Sequence, residues 1–244
     1  MPININSNEL NTAGGNILVN KDIPTFTLFF DWDAGLPDSY PGTGTKVNNF
    51  VGSISGSLQN GVTYSTDGGG SWVFDGVDDR ILLENYNYSI SLGNGNTNWT
   101  VHAWVKTSAF RSGLTANPVL SNTNGGPIYG SLDVDDGLQT YWVYPSNTGG
   151  WTKFQGGIPV DDGIWHLLTW ANKSNYTMDL YFDGFYDTNV GPTNAGNNNP
   201  MDVIGGGLGT SFLGSIGMVA VYPINHTLSE VTEFYNSTRT RFGR

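Results

Sequence analysis

The stretch from Ser71 to Leu83, SWVFDGVDDRILL, constrains the fold more than any other part of the chain. Aromatic and aliphatic residues at both ends suit a pleated surface that is packed on at least one face. Asp75-Gly76 is a strong turn dipeptide because glycine accepts positive φ. The pattern predicts two short strands joined as a hairpin. Asp75, Asp78 and Asp79 are then either solvated turn residues or a metal or ligand site at that corner.

Composition is consistent with one all-β domain that has many turns. The chain has 244 residues, 34 of them glycine, and only 13% are charged. Sandwiches of this length commonly form a single unit. The formal net charge of −11 argues against non-specific binding to nucleic acid or to anionic lipid. The absence of cysteine excludes disulfides and cysteine-based zinc sites or nucleophiles.

Strand-like motifs then follow one another in a recognisable order. They are FDGVDD at 74–79, WTVHAWVK at 99–106, GIWHLLTW at 163–170, DLYFDG at 179–184 and GSIGMVAVY at 214–222. Together they resemble the strands of concanavalin A-like, laminin G-like jelly-roll domains. The resemblance implies an all-β, two-sheet antiparallel jelly-roll sandwich, which we expect to contain twelve to fourteen strands. It does not define a function, because this fold carries lectins, hydrolases and adhesion modules.

The chain divides into an arm and a domain. Residues 1–24 are polar and rich in asparagine, and they lie outside the resemblance, which leaves 25–244 as the jelly-roll domain. Thr25–Trp32 is predicted to be the first strand and to pair near Ile216–Tyr222. One short C-terminal helix is predicted over Leu228–Thr238, because Thr227 and Glu230 fit a capping box.

Two further segments point to a viral setting. The loop Asp33–Thr45 and the ending Tyr235–Gly243 resemble laminin G-like domains of tailed-bacteriophage structural proteins. The first residues lack a basic region and an apolar core, which indicates no signal peptide, and no apolar run is long enough to insert into a membrane. We therefore expect a virion location, with other virion proteins as partners and with oligomerisation compatible with that role.

Catalysis is not expected. Hydrolases of this fold class carry a Glu-x-Asp-x-(x)-Glu strand motif, and none of the four glutamates forms it. His102 and His166 lie in predicted strands beside tryptophans, which favours a packing role. Asp133 and Asp135 share one face of a strand or its end. Acid–base catalysis by these two carboxylates is therefore an alternative to their ordinary role as residues of an Asp-Asp-Gly turn.

The segment from Asp133 to Trp151 combines acids with aromatic residues, which is typical of sugar contacts because rings stack on apolar C–H faces while carboxylates orient hydroxyl groups. The candidate ligand-binding residues are Trp142, Tyr144, Trp151, Asp133, Asp135 and Asp136. Trp142 and Tyr144 share a strand face, so a core role is the alternative for both.

No cofactor is expected, with Ca²⁺ as an alternative held either by Asp133 with Asp135 or Asp136, or by Asp161 with Asp162. Three functions are thus open: a virion structural or adhesion protein that binds a host-surface glycan, a cellular carbohydrate-binding module or lectin, and a glycoside hydrolase or lyase.

Overall fold

The computed structural model describes residues 30–50, 54–84, 97–109, 117–122, 130–143, 152–191, 201–207 and 210–244. The arm predicted over residues 1–24, and the first part of the predicted first strand, lie outside these ranges. The described chain forms two antiparallel sheets with one short C-terminal helix, which confirms the predicted two-sheet jelly-roll sandwich.

Within the described ranges, sheet 1 contains eight strands. In spatial order they are β14 (Phe185–Val190), β13 (Thr177–Phe182), β12 (Trp165–Lys173), β7 (Trp99–Lys106), β18 (Leu213–Tyr222), β5 (Ser71–Asp75) and β4 (Thr63–Ser65), with β1 (Phe30–Asp33) also paired to β18. Strand β13 turns into β14 at Asp183-Gly184, where both residues have positive φ (48° and 80°), as a two-residue hairpin loop requires.

Eight described strands also form sheet 2. In spatial order they are β11 (Thr152–Pro159), β10 (Leu138–Val143), β9 (Gly130–Asp135), β8 (Asn117–Ser121), β15 (Val203–Ile204), β6 (Arg80–Glu84), β3 (Ser55–Gln59) and β2 (Lys46–Asn48). A small hairpin adds β16 (Gly206–Gly207) and β17 (Thr210–Ser211). The described ranges therefore hold eighteen strands, more than predicted, because strands of two or three residues leave little periodic signal.

The hairpin predicted at Ser71–Leu83 is wrong. Strand β5 pairs with β4 and β18 in sheet 1, whereas β6 pairs with β3 and β15 in sheet 2. The turn between them carries the chain from one sheet to the other. Trp72 and Phe74 on β5, and Ile81 and Leu83 on β6, can then all face the same core from its two sides.

The pairing predicted for the first strand is confirmed for its described part. Phe30 lies opposite Val221 and Trp32 opposite Val219 in the antiparallel pair of β1 and β18. The other half of the same edge of β18 pairs with β5, while β7 lies along the opposite edge. Strand β18 therefore has three partners in sheet 1, more than any other described strand.

The outer face of sheet 1 is sealed by the C-terminal helix α1 (Leu228–Thr238) and by the 3-10 turn Arg239–Phe242. Phe242 stacks on Trp104 with ring centroids 4.4 Å apart, and the Trp104 indole donates to the Thr238 hydroxyl at 2.8 Å. The helix begins at the predicted capping box, in which Thr227 and Glu230 satisfy each other's backbone N–H groups. None of the described helices is both long and apolar enough to cross a membrane.

Candidate ligand-binding site

Strands β9, β10 and β11 build a polar surface on the outer side of sheet 2. Leu132 and Val134 on β9, and Tyr141 and Val143 on β10, point into the core between the sheets. Successive side chains of a strand alternate between faces, so their neighbours point away from the core. The residues on this outer surface, the polar face, are Ser131, Asp133, Asp135, Thr140, Trp142, Lys153 and Gln155.

The alternation of side chains along β10 places Trp142 outside the core, which was the alternative left open for it. Its neighbours Tyr141 and Val143 are fully buried in the core, whereas Trp142 is half-buried and lies outside the core cluster. The Lys153 ammonium lies 5.6 Å from the centre of the Trp142 ring. One part of the ring is thus held by a cation contact, and the side chain keeps a partial exposure to solvent that the core residues lack.

Lys153 forms ion pairs with two carboxylates at the polar face. Its Nζ lies 2.6 Å from Asp136 Oδ2 and 3.1 Å from Asp135 Oδ2. Asp135 is buried, while Lys153 and Asp136 are partly exposed, with 25% and 36% of their side chains accessible. The ammonium therefore neutralises a buried carboxylate and leaves the carboxylate of Asp136 at the surface.

Asp133 lies in the floor of the polar face. The Ser131 hydroxyl donates to Asp133 Oδ1 at 2.6 Å, and the residue is only 4% exposed. Burial raises the pKa of Asp133 to about 7, and the neighbouring Asp135 carboxylate adds to the rise, while the Ser131 hydrogen bond opposes it. This carboxyl group therefore changes charge near neutral pH.

The structure brings four of the six predicted ligand-binding residues together, namely Trp142, Asp133, Asp135 and Asp136. Tyr144 and Trp151 lie outside the described residues, and their role stays a prediction. The pattern did not single out Lys153 or Gln155. The Gln155 amide donates to the Asp135 carbonyl at 2.8 Å and to the Thr140 hydroxyl at 3.2 Å, and only strand register reveals this proximity.

The three histidines make polar contacts in the interior of the protein. His102 Nδ1 lies 2.8 Å from the Thr169 hydroxyl and its Nε2 lies 3.0 Å from His226 Nδ1, beneath helix α1. His166 lies between Asp183 at 2.9 Å and Asp162 at 3.1 Å. All three rings are buried.

Asp162 accepts hydrogen bonds from the backbone N–H of Ile164 and from His166. A Ca²⁺ site formed by Asp161 with Asp162 stays a prediction. The turn between β5 and β6 does bring three acids together: oxygen atoms of Asp75, Asp78 and Asp79 lie within 4.8 Å of one another.

The strand order, with one sheet sealed by a helix and the other bearing a polar face, defines a jelly-roll β-sandwich. The family model described as the concanavalin A-like lectin/glucanases superfamily matches residues 59–232. The chain belongs to this superfamily. Comparison with curated proteins finds no significant match.

Solved structures share the fold at low identity. The binding domain of Paraclostridial Mosquitocidal Protein 1 aligns with TM-score 0.62 and 13% identity over 87% of this chain and 52% of that chain. A structure reporting that cell entry of botulinum neurotoxin type C depends on interaction with two ganglioside molecules aligns with TM-score 0.66 and 10% identity, over 88% and 52%. This chain therefore spans about half the length of both toxin chains.

A third structure matches nearly end to end. Domain 4 of AbnA, an extracellular GH43 arabinanase from Geobacillus stearothermophilus, was solved in complex with arabinotriose. It aligns with TM-score 0.60 and 19% identity, over 86% of this chain and 98% of that chain. At such identities these likenesses establish a common fold.

Proposed function

We propose that the protein is a non-enzymatic glycan-binding module whose polar face, on β9, β10 and β11, receives the sugar. The observation that carries the proposal is the combination of a half-buried Trp142 ring with the charged side chains of Lys153 and Asp136 on the outer side of sheet 2. The equivalent side of sheet 1 is occupied by helix α1.

The accessible groups suit a sugar. The Trp142 ring offers a flat apolar surface for a C–H face, Asp136 accepts hydrogen bonds from hydroxyl groups, and Lys153 donates them. Asp133 and Asp135 are too buried to reach a substrate and act on the site through Lys153 and through their charge. This burial argues against acid–base catalysis by the pair.

The charges favour a neutral glycan. Asp135 and Asp136 share the single ammonium of Lys153, and Asp133 contributes further negative charge as it ionises near pH 7. A carboxylate on a sialylated sugar would meet this excess of negative charge, in a protein whose net charge is already −11. Neutral oligosaccharides carry no such penalty.

The binding role is supported by the named relatives. The domains that share the fold include toxin binding domains and an arabinanase domain crystallised with arabinotriose. For the setting, we propose a bacteriophage virion, as a capsid decoration, fibre or tail-associated adhesion protein that contacts other virion proteins and host-surface glycans. The support is the resemblance of Asp33–Thr45 and Tyr235–Gly243 to phage structural proteins. A cellular carbohydrate-binding module is the alternative.

The site is tested with a glycan array followed by titration calorimetry with the best neutral oligosaccharide. We expect Trp142→Ala to weaken binding about tenfold or more, which corresponds to about 1.4 kcal/mol. Phe185→Ala is the matched control, because Phe185 is an aromatic residue with 68% exposure on β14, an edge strand of sheet 1 and not one of the strands of the polar face. Unchanged binding by Trp142→Ala would show that the polar face is not the glycan site.

The setting is tested separately. Mass spectrometry of purified virions is expected to detect this chain, and its absence would favour the cellular module. Release of sugar products during the titration would contradict the non-enzymatic role. Preference of the array for sialylated over neutral glycans would refute the charge argument.

A further inference from the structure

Three side chains with complementary chemistry meet on neighbouring strands of sheet 1. Lys173 ends β12, Asp179 lies in β13 and Asn189 lies in β14. Asn189 is directly opposite Asp179 in the pairing of β13 with β14, and Lys173 is the diagonal neighbour of Asp179 in the pairing of β12 with β13. The strand register therefore brings an amine, a carboxylate and a primary amide within reach of one another.

The three side chains lie on the outer face of sheet 1, beside helix α1. Met178 and Leu180, the chain neighbours of Asp179, point into the core, so Asp179 points away from it. Tyr181, two residues further along β13, lies in one apolar cluster with Val231 of the helix. Asp179 is only 8% exposed, so its carboxylate is largely shielded from water.

The Asp179 carboxylate joins the lysine to the amide. Lys173 Nζ lies 2.6 Å from Asp179 Oδ2, and Asn189 Nδ2 donates to Asp179 Oδ1 at 2.6 Å. Asn189 Nδ2 also donates to the Met178 carbonyl at 3.3 Å, and the Tyr181 hydroxyl donates to Asp179 Oδ2 at 3.4 Å. The two nitrogen atoms are thus held on the two oxygens of a single carboxylate.

This arrangement meets the chemical requirements for transfer of an acyl group from an amide to an amine. A lysine amine is a nucleophile only when it is neutral, so it needs a base that takes its proton. The amide nitrogen becomes a leaving group only when an acid protonates it. A carboxylate in contact with both nitrogens can do both, because it accepts a proton from the nucleophile and gives it to the leaving group.

We propose that Lys173 and Asn189 form an intramolecular isopeptide bond, with Asp179 as the proton relay. Lys173 Nζ attacks Asn189 Cγ, the Nζ–Cγ bond forms and the Cγ–Nδ2 bond breaks. The lysine ammonium loses two protons as it becomes an amide, and Asp179 passes both to Nδ2, which leaves as ammonium. Asp179 ends in its starting state, and no oxidant, reductant or further reactant is needed. Asn189 is exposed, so the released ammonium has a path to solvent.

The bond ties β14, an edge strand of sheet 1, to β12 across the intervening strand β13. Edge strands have neighbours on one side only, and the pairing of β14 with β13 contains a register shift between Leu180 and Tyr181. A covalent link between side chains therefore strengthens an edge that is otherwise held by one set of backbone hydrogen bonds. This inference is independent of the glycan-binding proposal, because the polar face lies on sheet 2.

The test is intact-mass measurement of the full chain, followed by unfolding and tryptic digestion. The folded protein is first incubated at about pH 9, where more of a lysine is neutral than at about pH 7. We expect the loss of one ammonia, about 17 Da. Trypsin cleaves only after a free lysine or arginine side chain, so linked Lys173 gives one peptide of residues 154–239 in place of 154–173 and 174–239.

Lys173→Arg is the decisive variant, because arginine keeps the positive charge beside Asp179 but does not act as the nucleophile. This variant should keep its full mass. Lys106→Arg is the matched control, since Lys106 pairs with Asp67 at 2.7 Å and has the same 36% side-chain exposure as Lys173. No side-chain amide in the described part of the chain donates to Asp67. The control should lose ammonia as the wild type does.

Asp179→Asn tests the relay and should slow the loss of ammonia at least about a hundredfold. Circular dichroism establishes first that each variant is folded. An unchanged wild-type mass with complete cleavage after Lys173 overturns the proposal. A loss of ammonia that persists in Lys173→Arg also overturns it, because an asparagine that cyclises on its own backbone needs no lysine. Equal rates for Asp179→Asn and the wild type overturn the role of Asp179.

Discussion

Acidification is expected to weaken the contact between sheet 1 and helix α1, where the His102 ring stacks on Phe234 with centroids 3.9 Å apart. Burial lowers the pKa of His102 well below its usual value, and the neighbouring His226 adds to the effect. Burial also lowers the pKa of His226, against the opposing charge of Glu230. The folded protein thus keeps His102 neutral at a pH where the unfolded chain takes up a proton.

The magnitude follows from linkage. A base whose pKa is lowered by folding contributes its full stability above the unfolded pKa of about 6.5, and stability falls as the pH drops below it. If His102 stays neutral when folded, the loss between pH 7.5 and pH 5.0 is about 2 kcal/mol. That is a large part of the roughly 5–15 kcal/mol typical of a folded domain.

The assay compares urea unfolding of the wild type and His102→Gln at pH 7.5 and pH 5.0, followed by tryptophan fluorescence. The variant should be less stable at both pH values, because it loses the ring stack, but its decrease between them should be about 2 kcal/mol smaller. Burial raises the pKa of Asp31, Asp33 and Asp133. Because these groups take up protons more readily in the folded state, they stabilise the folded protein as the pH falls. They are present in both proteins and cancel in the difference. Equal decreases would refute the neutral buried His102.

Three further predictions concern packing and assembly. Arg241→Ala should cost about 3–5 kcal/mol in urea unfolding. Arg241 pairs with buried Asp33 at 2.5 Å and donates to the Gly68 and Gly70 carbonyls, and Arg241→Lys should recover part of the loss. Gly205→Ala should lower the thermal midpoint more than Gly44→Ala, because both have positive φ but only the first Cβ would collide with Phe74, at 2.2 Å. Deletion of residues 1–24 should leave the midpoint nearly unchanged and abolish incorporation into particles, whereas a large loss of stability would contradict an arm outside the core.

Local signals in the sequence predicted local structure well. The capping box at Thr227 and Glu230 located the start of the helix, because both hydrogen bonds are made within one turn. The DLYFDG motif at 179–184, which belongs to the family resemblance, includes the Asp183-Gly184 turn of a hairpin in the structure, where both residues have positive φ. The resemblance of GSIGMVAVY at 214–222 to a family strand identified β18, and its predicted pairing with the first strand is confirmed for the described part of that strand.

Apart from the pairing of β1 with β18, the pairing of strands that are far apart in the sequence could not be predicted. The stretch Ser71–Leu83 contains the right strands and the right turn, but nothing within it shows that Trp72 pairs with Ile216 and Tyr64 rather than with β6. The inward face of β10 was equally ambiguous, because each of its two faces carries an aromatic residue, Tyr141 on one and Trp142 on the other. Lys153 reaches Asp135 and Asp136 only through the register of β10 with β11, which includes a bulge.

The pairing of β18 with three other strands of sheet 1 affects how the chain folds during translation. Strands β1, β5 and β7 all use β18 as a neighbour, yet residues 213–222 leave the ribosome long after those strands do. Until then their unpaired edges and large apolar side chains are available to other chains. Sheet 1 therefore closes late, through contacts between distant parts of the sequence, and folding is expected to be slow. A nascent chain that stalls before residue 213 should be a substrate for chaperones rather than a partly folded domain.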